Sequence, residues 1–168
     1  MARFVSVVEL SNMSLQGEST LHRIVASTNK LDGEFELAVL EPGQFDLSVP
    51  PRGRLVIYVE DLKSVTYLDL AVSDRLDTRR YPRVVATLVE LRQLEENRFF
   101  AAGDISFHGT TRREESEVVI RWLDNNTIEV KGELVIDVRD YNVEVPRMIT
   151  STIEPEVTVR MRMVLKQV

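Results

Sequence analysis

The feature that most restricts the fold of this chain is the alternation of apolar and polar residues with a period of two. Between residues 156 and 165 one face is wholly apolar, whereas the other carries mostly glutamate, threonine and arginine. The apolar face holds Val157, Val159, Met161, Met163 and Leu165. Such alternation predicts a β-strand with one face in a core and the other in water. The same period predicts further strands at 35–39, 55–59, 84–91, 98–107, 116–123 and 127–137.

Short polar turns separate these strands, and glycines interrupt two of them. Regularly spaced short strands with polar turns are typical of an antiparallel sandwich or barrel. Gly103 and Gly132 lie on the apolar faces of their strands, where glycine commonly marks a β-bulge or a sharp bend. Such curvature favours a closed barrel over a flat sandwich.

One segment, 64–80, has a helical period. Leu68, Val72 and Leu76 recur every four residues, which predicts an amphipathic helix. The residue before a proline is restricted to extended geometry, so this helix must end before the Tyr-Pro pair that follows it. We therefore predict one mainly β domain spanning residues 1–168, a single antiparallel β-barrel with a short helix covering one end.

The charge balance argues against a nucleic-acid partner. Charged residues make up 29% of the chain and the net charge is −6, whereas a generic nucleic-acid binder presents a basic field. The densest arginine cluster is interleaved with aspartates and consists of Arg75, Arg79, Arg80 and Arg83. Opposite charges spaced i,i+3 and i,i+4 on a helix compensate each other, so we interpret the cluster as a solvated helix end.

The sequence also lacks signals for a membrane, for export and for thiol chemistry. No apolar run approaches the ~20 residues that a membrane-spanning helix requires, so we expect no stable membrane insertion. The first ten residues lack the long apolar segment of a signal peptide, and we expect a cytoplasmic protein. The chain contains no cysteine, which excludes disulfides, thiolate metal sites and a cysteine nucleophile.

Motifs for catalysis or metal binding are absent. The chain has no nucleophile elbow, zinc-protease helix, P-loop or dinucleotide-binding glycine pattern. His22 and His108 lie near hydroxyl residues, but a catalytic triad depends on geometry that spacing does not fix. We expect surface or strand-end histidines and no catalytic residue, metal site or cofactor. Glu90 is the one carboxylate that falls in step with an apolar face, that of residues 84–88, and we expect it to reach solvent at a strand end.

Four stretches resemble, in their order and spacing, the motifs of the YceI family. The first combines Ser19-Thr20-Leu21 with LDGEF at 31–35, and the second runs from Asp69 to the Tyr-Pro pair at 81–82. The third is GDISFHGTTR at 103–112, which is similar to the family's glycine-containing hairpin. The fourth joins DYNV at 140–143 to the strand at 156–165. Together the four stretches span nearly the whole chain.

The resemblance implies a lipocalin-like barrel whose elongated apolar interior holds a polyisoprenoid or a similar long-chain lipid. It implies a non-enzymatic binding protein with no cofactor other than that lipid, in a family many of whose members are exported to the periplasm. The residues that we expect to line the interior are Phe35, Leu37, Ile57, Leu68, Val72, Phe99, Ile105, Phe107, Trp122, Ile128 and Leu134.

The alternative is a barrel that binds no small molecule. Small barrels often fill their interiors with their own side chains. Such a protein would serve a structural or interaction role, and its exposed strand edges would support a homodimer.

Overall fold

The computed structural model describes residues 1–20, 23–64, 77–144, 147–148 and 151–168. Within these ranges the helical segments are short 3-10 turns at Val8–Leu10, Val59–Asp61 and Val138–Tyr141. The strands are β1 (Ala2–Ser6), β2 (Asn12–Ser19), β3 (Arg23–Thr28), β4 (Asp32–Leu37), β5 (Val39–Glu41), β6 (Gln44–Phe45), β7 (Arg52–Tyr58), β8 (Lys63–Ser64), β9 (Arg83–Gln93), β10 (Arg98–Phe107), β11 (Thr110–Asp124), β12 (Thr127–Asp137), β13 (Arg147–Met148) and β14 (Ser151–Gln167).

The long strands form an antiparallel sheet that closes on itself. Hydrogen-bonded neighbours follow the order β1-β4-β7-β9-β10-β11-β12-β14, and β14 pairs back with β1. Phe4 marks the closure, since it pairs with Phe35 of β4 on one side and with Gln167 of β14 on the other. In the described part of the chain, eight strands thus form a closed lipocalin-like barrel, which confirms the fold class predicted from the alternation.

At three places around the described barrel, two successive short strands together occupy the place of one long strand. β14, at 17 residues, pairs with β2 along its first part and with β1 at its end, so β1 and β2 are successive pieces of one position. The 3-10 turn between them packs outside the barrel: the Val7 N–H donates to the Val164 carbonyl at 2.8 Å. The Val164 N–H donates to Ser11 Oγ at 3.0 Å, and Val164 is fully buried although it points outward. In the same way, β3 and β4 share one place in the barrel, and β7 and β8 share the next.

A β-bulge lies where β9 pairs with β10. Gly103 pairs with Leu88, whereas the preceding Ala102 pairs with Glu90. A Cβ on Gly103 would lie 2.6 Å from the Thr87 carbonyl oxygen, so only glycine allows this approach. The bulge predicted at this glycine is confirmed, whereas Gly132 stays in regular register with both neighbouring strands.

The same bulge sets the placement of Glu90. Because one extra residue is inserted after Leu88, the inward positions change from even to odd numbers, and Leu91 is the next side chain inside. Glu90 is exposed on the outer face. The period counted from 84–88 is broken by the bulge, and Glu90 reaches solvent as we expect.

One half of the barrel, which we call the packed half, is filled by its own side chains. Its inward residues are buried: Phe4, Leu31, Phe35, Leu37, Leu55, Ile57, Phe99, Ile120, Ile128 and Leu165. The β5–β6 hairpin packs Phe45 against Trp122, with ring centroids 5.1 Å apart, and against Phe99 at 6.2 Å. Phe4 meets Trp122 edge-on at 6.2 Å. These four rings form an aromatic cluster that occupies this half.

The predicted helix falls almost wholly on residues 65–76, which lie outside the described ranges. The described remainder, Asp77 to Arg80, is a turn in which the Tyr81 N–H donates to the Asp77 carbonyl at 2.8 Å. Asp77 itself has a φ of 49°. Among the described residues, no helix is long and apolar enough to cross a membrane.

Candidate functional site

The other half of the barrel, which we call the open half, has an apolar inner wall that water still reaches. Its inward side chains are half-buried rather than buried: Leu15, Ala86, Leu88, Ala101, Ile105, Phe107, Val118, Leu134, Val159 and Met161. The strand register places them on one face, as in the pairs Leu134 with Val159 and Val159 with Leu15. Within the described ranges, this half therefore presents apolar surface that no other described residue fully covers.

The predicted lining residues divide between the two halves. Those in the packed half are buried against one another: Phe35, Leu37, Ile57, Phe99 and Ile128. Ile105, Phe107 and Leu134 are half-buried on the inner wall of the open half, and Trp122 is half-buried in the aromatic cluster. Leu68 and Val72 lie outside the described residues, as does His22.

Several inward residues of the open half were missing from the predicted lining. Val118, Val159 and Met161 belong to strands whose apolar faces the alternation had shown, so the signal was present in the sequence. Leu88 precedes the bulge that shifts its strand, and Leu15 lies in NMSLQGES, where polar residues obscure the period. These positions extend the inner wall across β2, β9, β11 and β14.

One strand gives the inner wall a polar strip, formed by Arg112, Glu114 and Ser116 of β11. The inward direction is set by Val118, which pairs with the buried Phe99. Side chains two residues apart share a face, so Ser116, Glu114 and Arg112 follow it inward, opposite Ala101, Gly103 and Ile105. Sequence reasoning missed this strip because TTRREESE, at 110–117, is polar on both faces and has no visible alternation.

Tyr141 completes the polar strip from the opposite side. Its side chain is 1% exposed, and its hydroxyl donates to Glu114 Oε1 at 2.8 Å. The 3-10 turn that carries it is anchored by Asn142, whose Nδ2 donates to Thr110 Oγ1 at 2.8 Å. Burial first, and then the bond to Glu114, raise the pKa of Tyr141 well above its ordinary value. The phenol is therefore a neutral hydrogen-bond donor at physiological pH.

Alkaline unfolding tests the Tyr141–Glu114 bond. Because the pKa of Tyr141 is raised in the folded protein, the stability that it contributes is present below the ordinary pKa of about 10 and is lost as the pH rises toward the folded-state value. We expect the free energy of unfolding in urea to fall between about pH 8 and about pH 11, and to fall less in Tyr141→Phe. The exposed Tyr58→Phe is the control. Equal losses in wild type and Tyr141→Phe would contradict the assignment.

His108 lies in the β10–β11 turn, where it and Gly109 have φ values of 53° and 78°. Its ring packs with its centroid 4.4 Å from that of Tyr81, and neither Nδ1 nor Nε2, both buried, has a hydrogen-bond partner among the residues that the structure describes. The predicted position at a strand end is confirmed. The ring nitrogens contact neither a carboxylate nor a serine in a way that would form a hydrogen bond. Among the described residues, no three His, Asp or Glu side chains converge as a metal site requires.

The outer face of β12 carries carboxylates paired with arginines of β14. Arg162 Nη2 lies 2.8 Å from Glu129 Oε2, and Arg160 Nε lies 3.0 Å from Glu133 Oε2. Lys131 lies between these two carboxylates on the same outer face of β12. Lys131 does approach Glu129, at 3.8 Å, but the short contacts are those of the arginines.

A closed eight-stranded antiparallel barrel with an apolar inner wall defines the lipocalin-like class of β-barrel proteins. Within that class the chain belongs to the family of YceI-like domains, whose sequence profile matches residues 8–165. The family indicated by the four sequence motifs is therefore confirmed. No curated protein matches the chain at a significant level.

Solved structures show the same fold at low sequence identity. BcnA of Burkholderia cenocepacia gives a TM-score of 0.79 at 16% identity, over 95% of this chain and 98% of that chain. A polyisoprenoid-binding domain from Saccharophagus degradans, implicated in plant cell wall breakdown, gives 0.74 at 13% identity over 100% of both chains. The YceI protein of Campylobacter jejuni gives 0.62 at 10% identity, over 83% of this chain and 81% of that chain.

Proposed function

We propose that this protein binds one long-chain apolar ligand, a polyisoprenoid or a similar lipid, inside the barrel and catalyses no reaction. The observation that carries the proposal is the half-buried apolar wall of the open half, which runs across facing strands. Apolar burial contributes about 0.8 kcal/mol per CH₂ group, so a chain of several isoprene units along this wall gains substantial binding free energy. The polyisoprenoid-binding domain of Saccharophagus degradans, with the same fold, supports this ligand class.

The two halves of the barrel have different roles in this proposal. The open half, with Ile105, Phe107 and Leu134, contacts the ligand directly. The aromatic cluster of the packed half, which includes Trp122, ends the available space and limits the length of chain that enters. The alternative of a barrel filled by its own side chains accounts for the packed half, whereas the wall of the open half is only half-buried among the described residues.

Solvent extraction tests the proposed function directly. Protein purified without detergent is extracted with chloroform and methanol, and the extract is analysed by mass spectrometry. We expect a long-chain lipid at close to one molecule per chain. An equal mass of an unrelated protein, purified from the same cells, controls for carried-over lipid. Extracts with no lipid above that control, together with no uptake of added polyprenol, would show that the interior binds no lipid.

A further inference from the structure

Glu114 is a carboxylate on the inner wall of an otherwise apolar barrel. It pairs with Gly103 on β10 and points to the same side as Val118, whose partner Phe99 is buried. The walls next to it are apolar, with Ile105 and Phe107 on β10. Glu114 is half-buried, so it is partly withdrawn from water but still accessible from the interior. A charge in this position therefore affects which charged or polar groups of a ligand bind next to it.

The carboxylate of Glu114 has unused capacity to accept hydrogen bonds. An ionised carboxylate offers about four acceptor positions. Among the described residues, Glu114 receives a single hydrogen bond, from the Tyr141 hydroxyl to Oε1. That bond orients the carboxylate, because Tyr141 is buried and its turn is anchored to Thr110 through Asn142. Glu114 is thus held in place with Oε2 available to a donor.

Counted over the described residues of the polar strip and its partner Asp140, the charge around this carboxylate is negative. Arg112, on the same inner face, lies 4.0 Å from Asp140 across the gap, so these two charges offset each other. Glu114 itself forms no ion pair with any described residue. Like charges repel more strongly where water is partly excluded than in bulk solvent. A phosphate or carboxylate at this place is therefore disfavoured, whereas a hydroxyl or ammonium group gains a charge-assisted hydrogen bond.

The position of Glu114 relative to the aromatic cluster sets the direction of a bound chain. The cluster is apolar and lies in the packed half, whereas Glu114 pairs with Gly103, four residues along β10 from Phe99 of the cluster. We infer that the polar head of the ligand rests against Glu114 and is a hydrogen-bond donor without negative charge, a hydroxyl or an ammonium, rather than a phosphate. This inference rests on the proposed function, since it concerns the polar end of the same ligand.

Three ligands that share one tail test the inference. Geranylgeraniol, geranylgeranylamine and geranylgeranyl diphosphate are titrated into the purified protein, and binding is followed by the fluorescence of Trp122, the only tryptophan. We expect the alcohol and the amine each to bind at least about tenfold more tightly than the diphosphate. In Glu114→Gln we expect the diphosphate to gain about tenfold and the alcohol to change by less than about threefold. The amide keeps an acceptor for Tyr141, so the fold is preserved.

The matched control is Glu115→Gln, which removes the same charge from the neighbouring residue on the exposed outer face and is expected to change none of the three affinities. Equal binding of alcohol and diphosphate by the wild type would overturn the inference and leave the proposed function standing. An unchanged ratio of alcohol affinity to diphosphate affinity in Glu114→Gln would also overturn the inference and leave the proposed function standing. Failure of all three ligands to bind would overturn both the inference and the proposed function. The wild-type preference decides the question even if a variant does not fold.

Discussion

Leu134→Arg is expected to abolish lipid binding, whereas Val135→Arg is expected to leave it unchanged. Leu134 faces inward on β12, where it pairs with Val159 and is half-buried. Val135 is the next residue and faces outward, with 54% of its surface exposed. Placing an unpaired polar group against an apolar ligand costs roughly 2–7 kcal/mol. A loss of that size lowers lipid affinity by more than tenfold, since each 1.4 kcal/mol is about a factor of ten.

The measurement is the lipid-to-protein ratio after extraction, with affinity for added polyprenol as a second readout. Leu134 lies in the open half, so an arginine there extends its charged head toward water while its stem covers apolar surface, and the loss of stability is small. Circular dichroism and the melting temperature check this point. Full lipid content in folded Leu134→Arg would mean that the ligand does not lie along this wall. If that variant is unfolded, Leu134→Gln replaces it.

Phe4→Ala is expected to lower the free energy of unfolding by about 3–5 kcal/mol, because it removes a fully buried ring and leaves a cavity. Phe4 joins the first and last strands of the barrel through its pairing with Phe35 and Gln167, and it contacts Trp122. Single domains are stable by only about 5–15 kcal/mol, so this loss is a large fraction of the total.

Urea unfolding followed by Trp122 fluorescence measures the effect of Phe4→Ala. The control is Leu10→Ala, in the 3-10 turn and 52% exposed, for which we expect a change within about 0.5 kcal/mol. A loss below about 1 kcal/mol in Phe4→Ala would contradict the central role of the packed half. Phe4→Ala and Leu134→Arg together separate the two halves, because the first acts on stability and the second on binding.

Two of the alternating strands could be predicted from the sequence to the residue, since β10 and β12 have the bounds that the pattern gave. β14 extends beyond the predicted 156–165 at both ends. β11 begins at Thr110, six residues before the predicted 116, because a segment that is polar on both faces has no period to detect. Its register is set by pairing with β10, which is a tertiary property.

The candidate site was predicted only in part, for two physical reasons. The bulge opposite Gly103 inserts one residue into β9 and reverses the facing of the residues after Leu88, so a period counted through it placed Glu90 on the wrong side. Periodicity also shows which side chains point inward but not how tightly they pack. Phe35 and Leu134 have the same sequence signal, yet Phe35 is buried in the packed half and Leu134 is half-buried in the open half.

The split strands have a mechanical consequence. β14 is continuous and contacts both pieces of its split neighbour, whereas the ladder beside it is interrupted at the 3-10 turn Val8–Leu10. The backbone hydrogen bonds of β1 with β14 and those of β2 with β14 therefore form two separate ladders along the same strand. The hydrogen bonds that join β2 to β3 and β14 are therefore distinct from those that hold β1, β4 and β7 together, so the first set can open without loss of the second. The 3-10 turn thus divides this part of the barrel wall into two sets of hydrogen bonds that are able to open independently.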